Sequence, residues 1–222
     1  MEPELTIREI KRIAQATIHF EAAIEALMPA NRRGNQYAKS NWLDNPALGH
    51  HNLSRPESIA EVEKVRSFEA LLDCMGEMFN RNYCWNFESL RDQYKSTIEF
   101  RKPPVSTTAE QALSWAELAM SFVQASIKCE SPKKLQEVPS TVGGLRWFLE
   151  QSYVEGVNEQ KRLDRIFGDK DLIAVEPIPR PEDFFVGRSE VQKWKGRLEG
   201  KAEEDRKEIL RLANNVKAPY WK

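Results

Sequence analysis

The sequence predicts an all-α protein, an irregular bundle of about five to six helices with two long irregular connections. Apolar residues recur at helical spacing along most of the first three quarters of the chain. Residues 29–57 and 169–187 instead concentrate proline, asparagine and glycine, which interrupt helices. Ser or Thr followed three residues later by Glu precedes two of the apolar stripes, as at helix starts.

The first helix is predicted over residues 7–28. Thr6 and Glu9 form a Thr-x-x-Glu capping box in front of an apolar stripe. Glu21 falls within this stripe, so it is either a buried, paired carboxylate or, as we expect, a carboxylate at the edge that reaches water. His19 projects opposite the stripe and is expected to be exposed.

Two further helices are predicted before residue 103. One begins with a cap-like Ser58 and Glu61 and continues to Phe79 along an apolar stripe. A shorter one covers residues 87–98 and ends before two consecutive prolines.

The clearest helix, residues 108–128, is predicted to be the central buried helix of the bundle. Its polar residues recur at alternating intervals of four and three, so they form one narrow strip. The rest of its circumference is largely apolar, which is typical of a helix surrounded by protein. The strip consists of Glu110, Ser114, Glu117, Ser121, Gln124 and Lys128.

The remaining chain divides the protein into three predicted parts. A connector at 130–140 leads to a fifth helix at 142–167, which completes a bundle domain over residues 1–168. Prolines at alternating positions predict an extended connector at 169–187. Residues 188–222 then predict a C-terminal surface or projecting helix with a thin apolar stripe.

Composition limits the classes of function. The 33 Lys and Arg residues nearly balance the 34 Asp and Glu residues, which excludes a globally basic coat for nucleic acid. No apolar run approaches the ~20 residues that span a bilayer, and the acidic start lacks a secretory layout. Three cysteines at unrelated spacings indicate reduced thiols and a cytoplasmic location.

Familiar catalytic patterns are missing from the sequence. It contains no Gly-x-x-x-x-Gly-Lys phosphate loop, no His-Glu-x-x-His and no Gly-x-Ser-x-Gly. We therefore expect no catalytic residue, no bound metal, no cofactor and no small-molecule substrate.

The first hypothesis is accordingly a non-enzymatic interaction protein, an adaptor or small subunit of a larger assembly. Aromatic anchors dominate protein interfaces, and another protein subunit is the expected partner. The candidate anchors lie where packing within the chain is least assured: Phe184, Phe185, Trp194 and Trp221.

The alternative is a helical protein that binds DNA or RNA. Basic side chains hold phosphates and aromatic rings stack on bases, and loop 29–57 offers both. An equally good interpretation lays this loop over the bundle with its aromatic residues in a groove. The candidate contacts are Arg32, Arg33, Lys39, Trp42, His50, His51 and Arg55, with Lys193, Lys195 and Arg197 from the C-terminal helix.

The least favoured hypothesis is a metal-dependent enzyme. His50 and His51 are adjacent and Asp44 is near in sequence, so the three could bind a metal or exchange protons. Adjacent loop histidines point in different directions, and no further ligand is spaced to join them.

Overall fold

The computed structural model describes residues 5–49, 51, 53–91, 97–152 and 160–168. The predicted all-α class is confirmed, because these residues form eight helices and one two-stranded sheet. The helices are α1 Ile7–Leu27, α2 Pro46–Gly49, α3 Arg55–Lys64, α4 Phe68–Met75, α5 Ala109–Lys128, α6 Pro132–Glu137, α7 Val142–Glu150 and α8 Gln160–Phe167. Strand β1 Trp85–Asn86 pairs antiparallel with β2 Glu99–Phe100. No helix within the described ranges is long and apolar enough to cross a bilayer.

The first helix starts with the predicted capping box. The Glu9 backbone N–H donates to Thr6 Oγ1 at 3.3 Å, and the Thr6 N–H donates to the Glu9 carboxylate at 2.7 Å. The next helix starts earlier than predicted, because Ser54 and Glu57 make the same reciprocal pair. At each helix start, the capping box thus supplies acceptors for two backbone N–H groups that have no acceptor within the helix.

Helix α1 is the central helix, so the prediction that residues 108–128 occupy the centre is wrong. Every residue from 13 to 20 is buried, which leaves α1 no face for solvent along two turns. It packs against α3, α4, α5, α6 and α7. Its polar side chains are therefore buried as well, and they bond to the elements around it.

Helix α5 has the predicted bounds, but the middle of its polar strip does not face solvent. Ser114, Glu117 and Ser121 of the polar strip are buried, whereas Leu113 and Met120 are 47% and 54% exposed. The middle of the strip therefore faces inward, together with the apolar Leu118 and Phe122, whereas Glu110 and Lys128 at its ends are exposed.

The buried polar groups of α5 also have local partners. The Ser114 hydroxyl donates to the Glu110 carbonyl at 2.8 Å, within its own helix. The Glu117 carboxylate lies 3.7 Å from the Arg162 guanidinium on α8. The Ser114 hydroxyl and the Glu117 carboxylate therefore keep polar partners although they are buried.

The helix predicted from Ser58 to Phe79 is interrupted. Helix α3 ends at Lys64, and the Ser67 hydroxyl then accepts the Ala70 N–H at 3.2 Å as the cap of α4. A serine whose side chain bonds the backbone starts a new helix here instead of continuing the old one.

The helix predicted over residues 87–98 is wrong. The described part of this segment holds a short 3₁₀ turn, Glu88–Arg91, between the two strands. The Asn86 amide donates to Glu99 at 2.9 Å and the Ser89 hydroxyl donates to the same carboxylate at 2.8 Å. These long-range bonds close the hairpin, and no local pattern indicated them.

The later predictions are met only in part. The connector at 130–140 contains the short helix α6, and the helix predicted at 142–167 is present as α7 and α8. Gln151 and Ser152 form a turn after α7. The connector at 169–187 and the helix at 188–222 lie outside the described residues, so the three-part division stays a prediction.

An aromatic cluster joins α1, α5, α7 and the hairpin. The ring centroids of Phe20 and Phe148 lie 4.8 Å apart, and the Trp85 ring stacks on Phe122 at 4.8 Å and on Phe100 at 4.3 Å. Buried aromatic pairs add about 1 kcal/mol each beyond the area that they bury.

Gly144 allows the segment before α7 to lie against that helix. A Cβ at this position would lie 1.8 Å from the Pro139 carbonyl oxygen, a backbone atom that cannot rotate away. Glycine is therefore required by a close backbone approach, which fixes residues 138–140 on the first turn of α7.

We predict that Gly144→Ala lowers the free energy of unfolding by about 3 kcal/mol, because backbone must move. Without the clash, alanine would stabilise the helix by about 1 kcal/mol, so the sign of the change is diagnostic. Urea titration measures it. Gly76→Ala is the matched control, because its Cβ would meet only Tyr83 ring carbons at 3.3 Å. A neutral or stabilising Gly144→Ala would contradict the close approach.

Candidate functional site

Residues 29–49 cross the bundle as a strap that the arginines tie down. The Arg32 guanidinium donates to the carbonyls of Arg101 and Lys102 at 2.8 and 3.2 Å. The Arg33 guanidinium donates to the carbonyls of Met28 and Ala26 at 2.8 and 2.9 Å, at the end of α1. Arg32 and Arg33, two of the candidate phosphate contacts, are therefore hydrogen-bonded to backbone carbonyls of this chain.

Two carboxylates of α1, those of Glu21 and Glu25, accept backbone hydrogen bonds from the strap. Glu25 accepts the Gly34 backbone N–H at 2.5 Å and forms an ion pair with Lys102, which is 3% exposed. Glu21 accepts the Trp42 backbone N–H at 3.1 Å. Lys102 also donates to the Ala38 carbonyl at 3.3 Å. The sequence indicated neither Glu25 nor Lys102, although Glu25 lies one helical turn after Glu21.

Burial raises the pKa of Glu21 to about 8. A hydrogen bond from the Ser40 hydroxyl and the charge of Lys102 oppose this rise in pKa, whereas the charges of Asp44 and Glu25 add to it. Glu21 is half-buried as a residue, and its carboxyl group is bonded to the strap through the Trp42 N–H.

A cleft of about 220 Å³ opens on the other side of α1, between α3 and the segment that joins α6 to α7. Both α3 and the α6–α7 segment contribute polar and aliphatic residues to it. The lining consists of His19, Arg55, Pro56, Ile59, Gln136, Val138, Pro139 and Ser140.

His19 is buried in this cleft, 4% exposed, so the prediction that it faces solvent is wrong. Its Nε2 lies 2.8 Å from the Val138 carbonyl oxygen. Because a carbonyl oxygen only accepts, Nε2 carries a hydrogen and donates it to Val138. Helix α1 therefore contributes the imidazole of His19 to the lining of the cleft.

Arg55 brings a positive charge to the same cleft. The residue is 6% exposed, and its guanidinium carbon lies 6.0 Å from the ring centroid of Trp42, a cation–π distance. Trp42 is itself 3% exposed and its Nε1–H donates to the Leu53 carbonyl at 3.0 Å. Trp42 thus has no face for a nucleic-acid base and supports Arg55 instead.

The other candidate residues are not brought together. Lys39 pairs through its backbone with residues 82 and 84, and His51 is exposed. Asp44 accepts the Ser40 N–H at 2.9 Å. No three His, Cys, Asp or Glu side chains converge on a metal position in the part of the chain that the structure describes.

Several candidates lie outside the described residues: His50, Lys193, Lys195, Arg197, Phe184, Phe185, Trp194 and Trp221. Contacts of these residues with a protein subunit or with DNA or RNA therefore stay predictions.

A comparison with known families identifies the relatives of this chain. A model of the family described as "Putative amidoligase enzyme" matches residues 1–123, which is more than half of the 222 residues. The chain belongs to this family. No curated protein and no solved structure matches the chain.

Membership in an enzyme family corrects the functional predictions. The hypothesis of a non-enzymatic adaptor or complex subunit is wrong, and so is the expectation that the protein is not an enzyme. The matched residues of this amidoligase-family chain contain α1, the strap, α3 and α4, and the hairpin. They also contain His19 and Arg55, whereas Gln136 to Ser140 of the cleft come from beyond the match.

We predict that Glu21 makes the protein less stable as pH rises. The folded state retains a proton up to about pH 8, while the unfolded chain releases it near pH 4.5. The free energy of unfolding therefore falls between these values, by a few kcal/mol at most. Glu21→Gln keeps an acceptor for Trp42 and should remove this loss, which urea titrations at about pH 5 and about pH 8 measure.

Glu9→Gln is the control of opposite sign, because hydrogen bonds from Thr6 lower the pKa of Glu9. Its carboxylate should stabilise the fold at neutral pH and lose that effect on acidification through its lowered pKa. Equal pH profiles for the parent protein and Glu21→Gln would show that the pKa of the Glu21 carboxyl group is not raised by desolvation.

Proposed function

We propose that this protein is an amidoligase, an enzyme that joins a carboxylate to an amine as an amide. The match of the amidoligase family over residues 1–123 supports this proposal. The matched residues also contain the buried, hydrogen-bonded groups of the strap and much of the cleft. Charged groups held in fixed positions by a folded core are what a reaction between charged substrates requires.

The chemistry of amide formation defines the co-substrate. A carboxylate in water does not condense with an amine unless it is activated, and we propose a nucleoside triphosphate as the activator. A carboxylate oxygen attacks the terminal phosphorus, and the nucleoside diphosphate leaves with the electron pair of the broken P–O bond. The product of this step is an acyl phosphate.

The amine completes the reaction. Its nitrogen attacks the acyl carbon, inorganic phosphate leaves with the electrons of the C–O bond, and the nitrogen loses its proton to solvent. The protein contributes by holding the carboxylate and the amine in reacting geometry, which alone lowers the barrier by several kcal/mol.

We also propose that the enzyme acts in the reducing cytoplasm. All three cysteines, Cys74, Cys84 and Cys129, are unbridged. Burial raises the pKa of the Cys84 and Cys129 thiols, which keeps them protonated and unreactive. A chain with such thiols fits a compartment in which disulfides do not form.

An assay of the whole 222-residue chain tests the ligase. A panel of monocarboxylates, dicarboxylates, amino acids and peptides is incubated with nucleoside triphosphate and hydroxylamine, which traps an acyl phosphate as a hydroxamate. We expect release of nucleoside diphosphate that depends on one class of carboxylate, together with the matching hydroxamate. Reactions that lack the carboxylate or the nucleotide are the controls. Nucleotide turnover with no carboxylate dependence across the panel would contradict the proposal.

A further inference from the structure

We propose that the cleft beside α1 is a binding site for a carboxylate, the group that the enzyme activates. This inference rests on the proposed ligase function for the identity of the ligand. The site itself rests on Arg55, His19 and the shape of the cleft. Neither residue was indicated as a carboxylate-binding group by the sequence.

The charges around the cleft favour an anion. Arg55 is the only charged side chain among the described residues that line it. Arg55 and Pro56 are also the first two residues of α3, so the positive end of that helix dipole lies at the cleft. The nearby Glu137 lies 2.9 Å from Lys134 in an exposed ion pair, which offsets its negative charge.

The hydrogen-bond donors of the cleft match the two oxygens of a carboxylate. A guanidinium presents parallel N–H groups that match a carboxylate, and the Arg55 guanidinium carbon lies 6.0 Å from the centroid of the buried Trp42 ring. Gln136 and Ser140 add an amide and a hydroxyl to the lining, and the Gln136 amide, which donates to the Pro132 carbonyl at 3.2 Å, has a second hydrogen to donate. A cationic substrate such as the amine would instead be repelled by Arg55.

The aliphatic residues of the lining distinguish a carboxylate from a phosphate. Ile59 and Pro56 on α3 and Pro139 on the α6–α7 segment give the cleft apolar surface, and apolar contacts suit the carbon stem of an acyl group. A volume of about 220 Å³ is smaller than the pockets that enclose drug-sized ligands. The cleft therefore fits one carboxylate with a short aliphatic stem.

Calorimetric titration of the whole chain with hexanoate and with hexanamide tests this site. The two probes share a stem and differ in charge, so we expect hexanoate to bind about 10-fold to 100-fold more tightly. Histidine ring signals in NMR give the location, because the chain has three histidines and, of the two that the structure describes, His19 lines the cleft and His51 does not. His50→Gln and His51→Gln assign the other two signals. Hexanoate should shift the His19 signals and leave those of His51 in place.

Arg55→Gln should weaken hexanoate binding about 10-fold or more and leave hexanamide binding unchanged. Arg12→Lys is the matched control, because Arg12 is a half-buried arginine of α1 outside the cleft. It should change the dissociation constant of hexanoate less than about twofold, since no contact with the ligand is lost. If Arg55→Gln does not fold, the comparison of hexanoate with hexanamide on the unchanged protein and the His19 signals decide the question.

Three results would overturn the inference: no preference for hexanoate over hexanamide, no shift of the His19 signals, or tighter binding of inorganic phosphate that displaces hexanoate. The last result would identify the cleft as a phosphate site. Carboxylate-dependent turnover without hexanoate binding at His19 would overturn only this inference. Charge-dependent binding at His19 without any turnover would contradict the ligase and leave the carboxylate site standing.

Discussion

Burial of residues 13–20 of α1 on all sides is the constraint on which the rest of the structure depends. A helical segment with no solvent face must bury its polar side chains, and each of these needs a partner. Gln15 donates to the Glu63 carboxylate of α3 at 2.8 Å, and His19 bonds the segment before α7 at the Val138 carbonyl. Glu21 and Glu25 accept backbone amides of the strap. The positions of α3, of the α6–α7 connection and of the strap are therefore set by polar groups of one helix.

The cleft is a product of the same arrangement. Glu21 fixes the backbone at Trp42, and the Trp42 ring lies next to the guanidinium of Arg55 at the start of α3. His19 approaches from α1, and Gly144 allows the opposite wall to lie against α7. Groups that hold the bundle together thus also place an imidazole and a guanidinium at one opening. Stability and the proposed binding of a carboxylate therefore depend on overlapping contacts.

Sequence reasoning predicts correctly the features that neighbouring residues determine, such as helix caps. It fails for features that depend on contacts between distant parts of the chain. Thr6 and Glu9 are three residues apart and form the predicted cap, and Thr108 begins α5 as expected. The orientation of α5 could not be predicted, because a narrow serine strip also describes a solvated face. What makes the strip suitable for burial is that its serine hydroxyls bond within the helix, Ser114 to the Glu110 carbonyl and Ser121 to the Glu117 carboxylate. The hairpin depends on Asn86 and Glu99, thirteen residues apart.

The function was missed for a related reason. Arg55 and His19 are 36 residues apart, and nothing in their spacing indicates that they share a cleft. Family membership comes from similarity along 123 residues rather than from a short motif of catalytic residues. A sequence can therefore belong to an enzyme family and still contain no pattern that local reasoning recognises as catalytic.

Amide hydrogen exchange tests the central role of α1 most directly. The Gly34 and Trp42 N–H groups lie in a strap, yet they donate to carboxylates of the buried helix. They should therefore exchange only when α1 opens, with free energies of exchange within about 1 kcal/mol of those for the inner amides of α1. Rapid exchange of Gly34 and Trp42 while the α1 amides stay protected would contradict the claim that this helix holds the strap and the cleft in place.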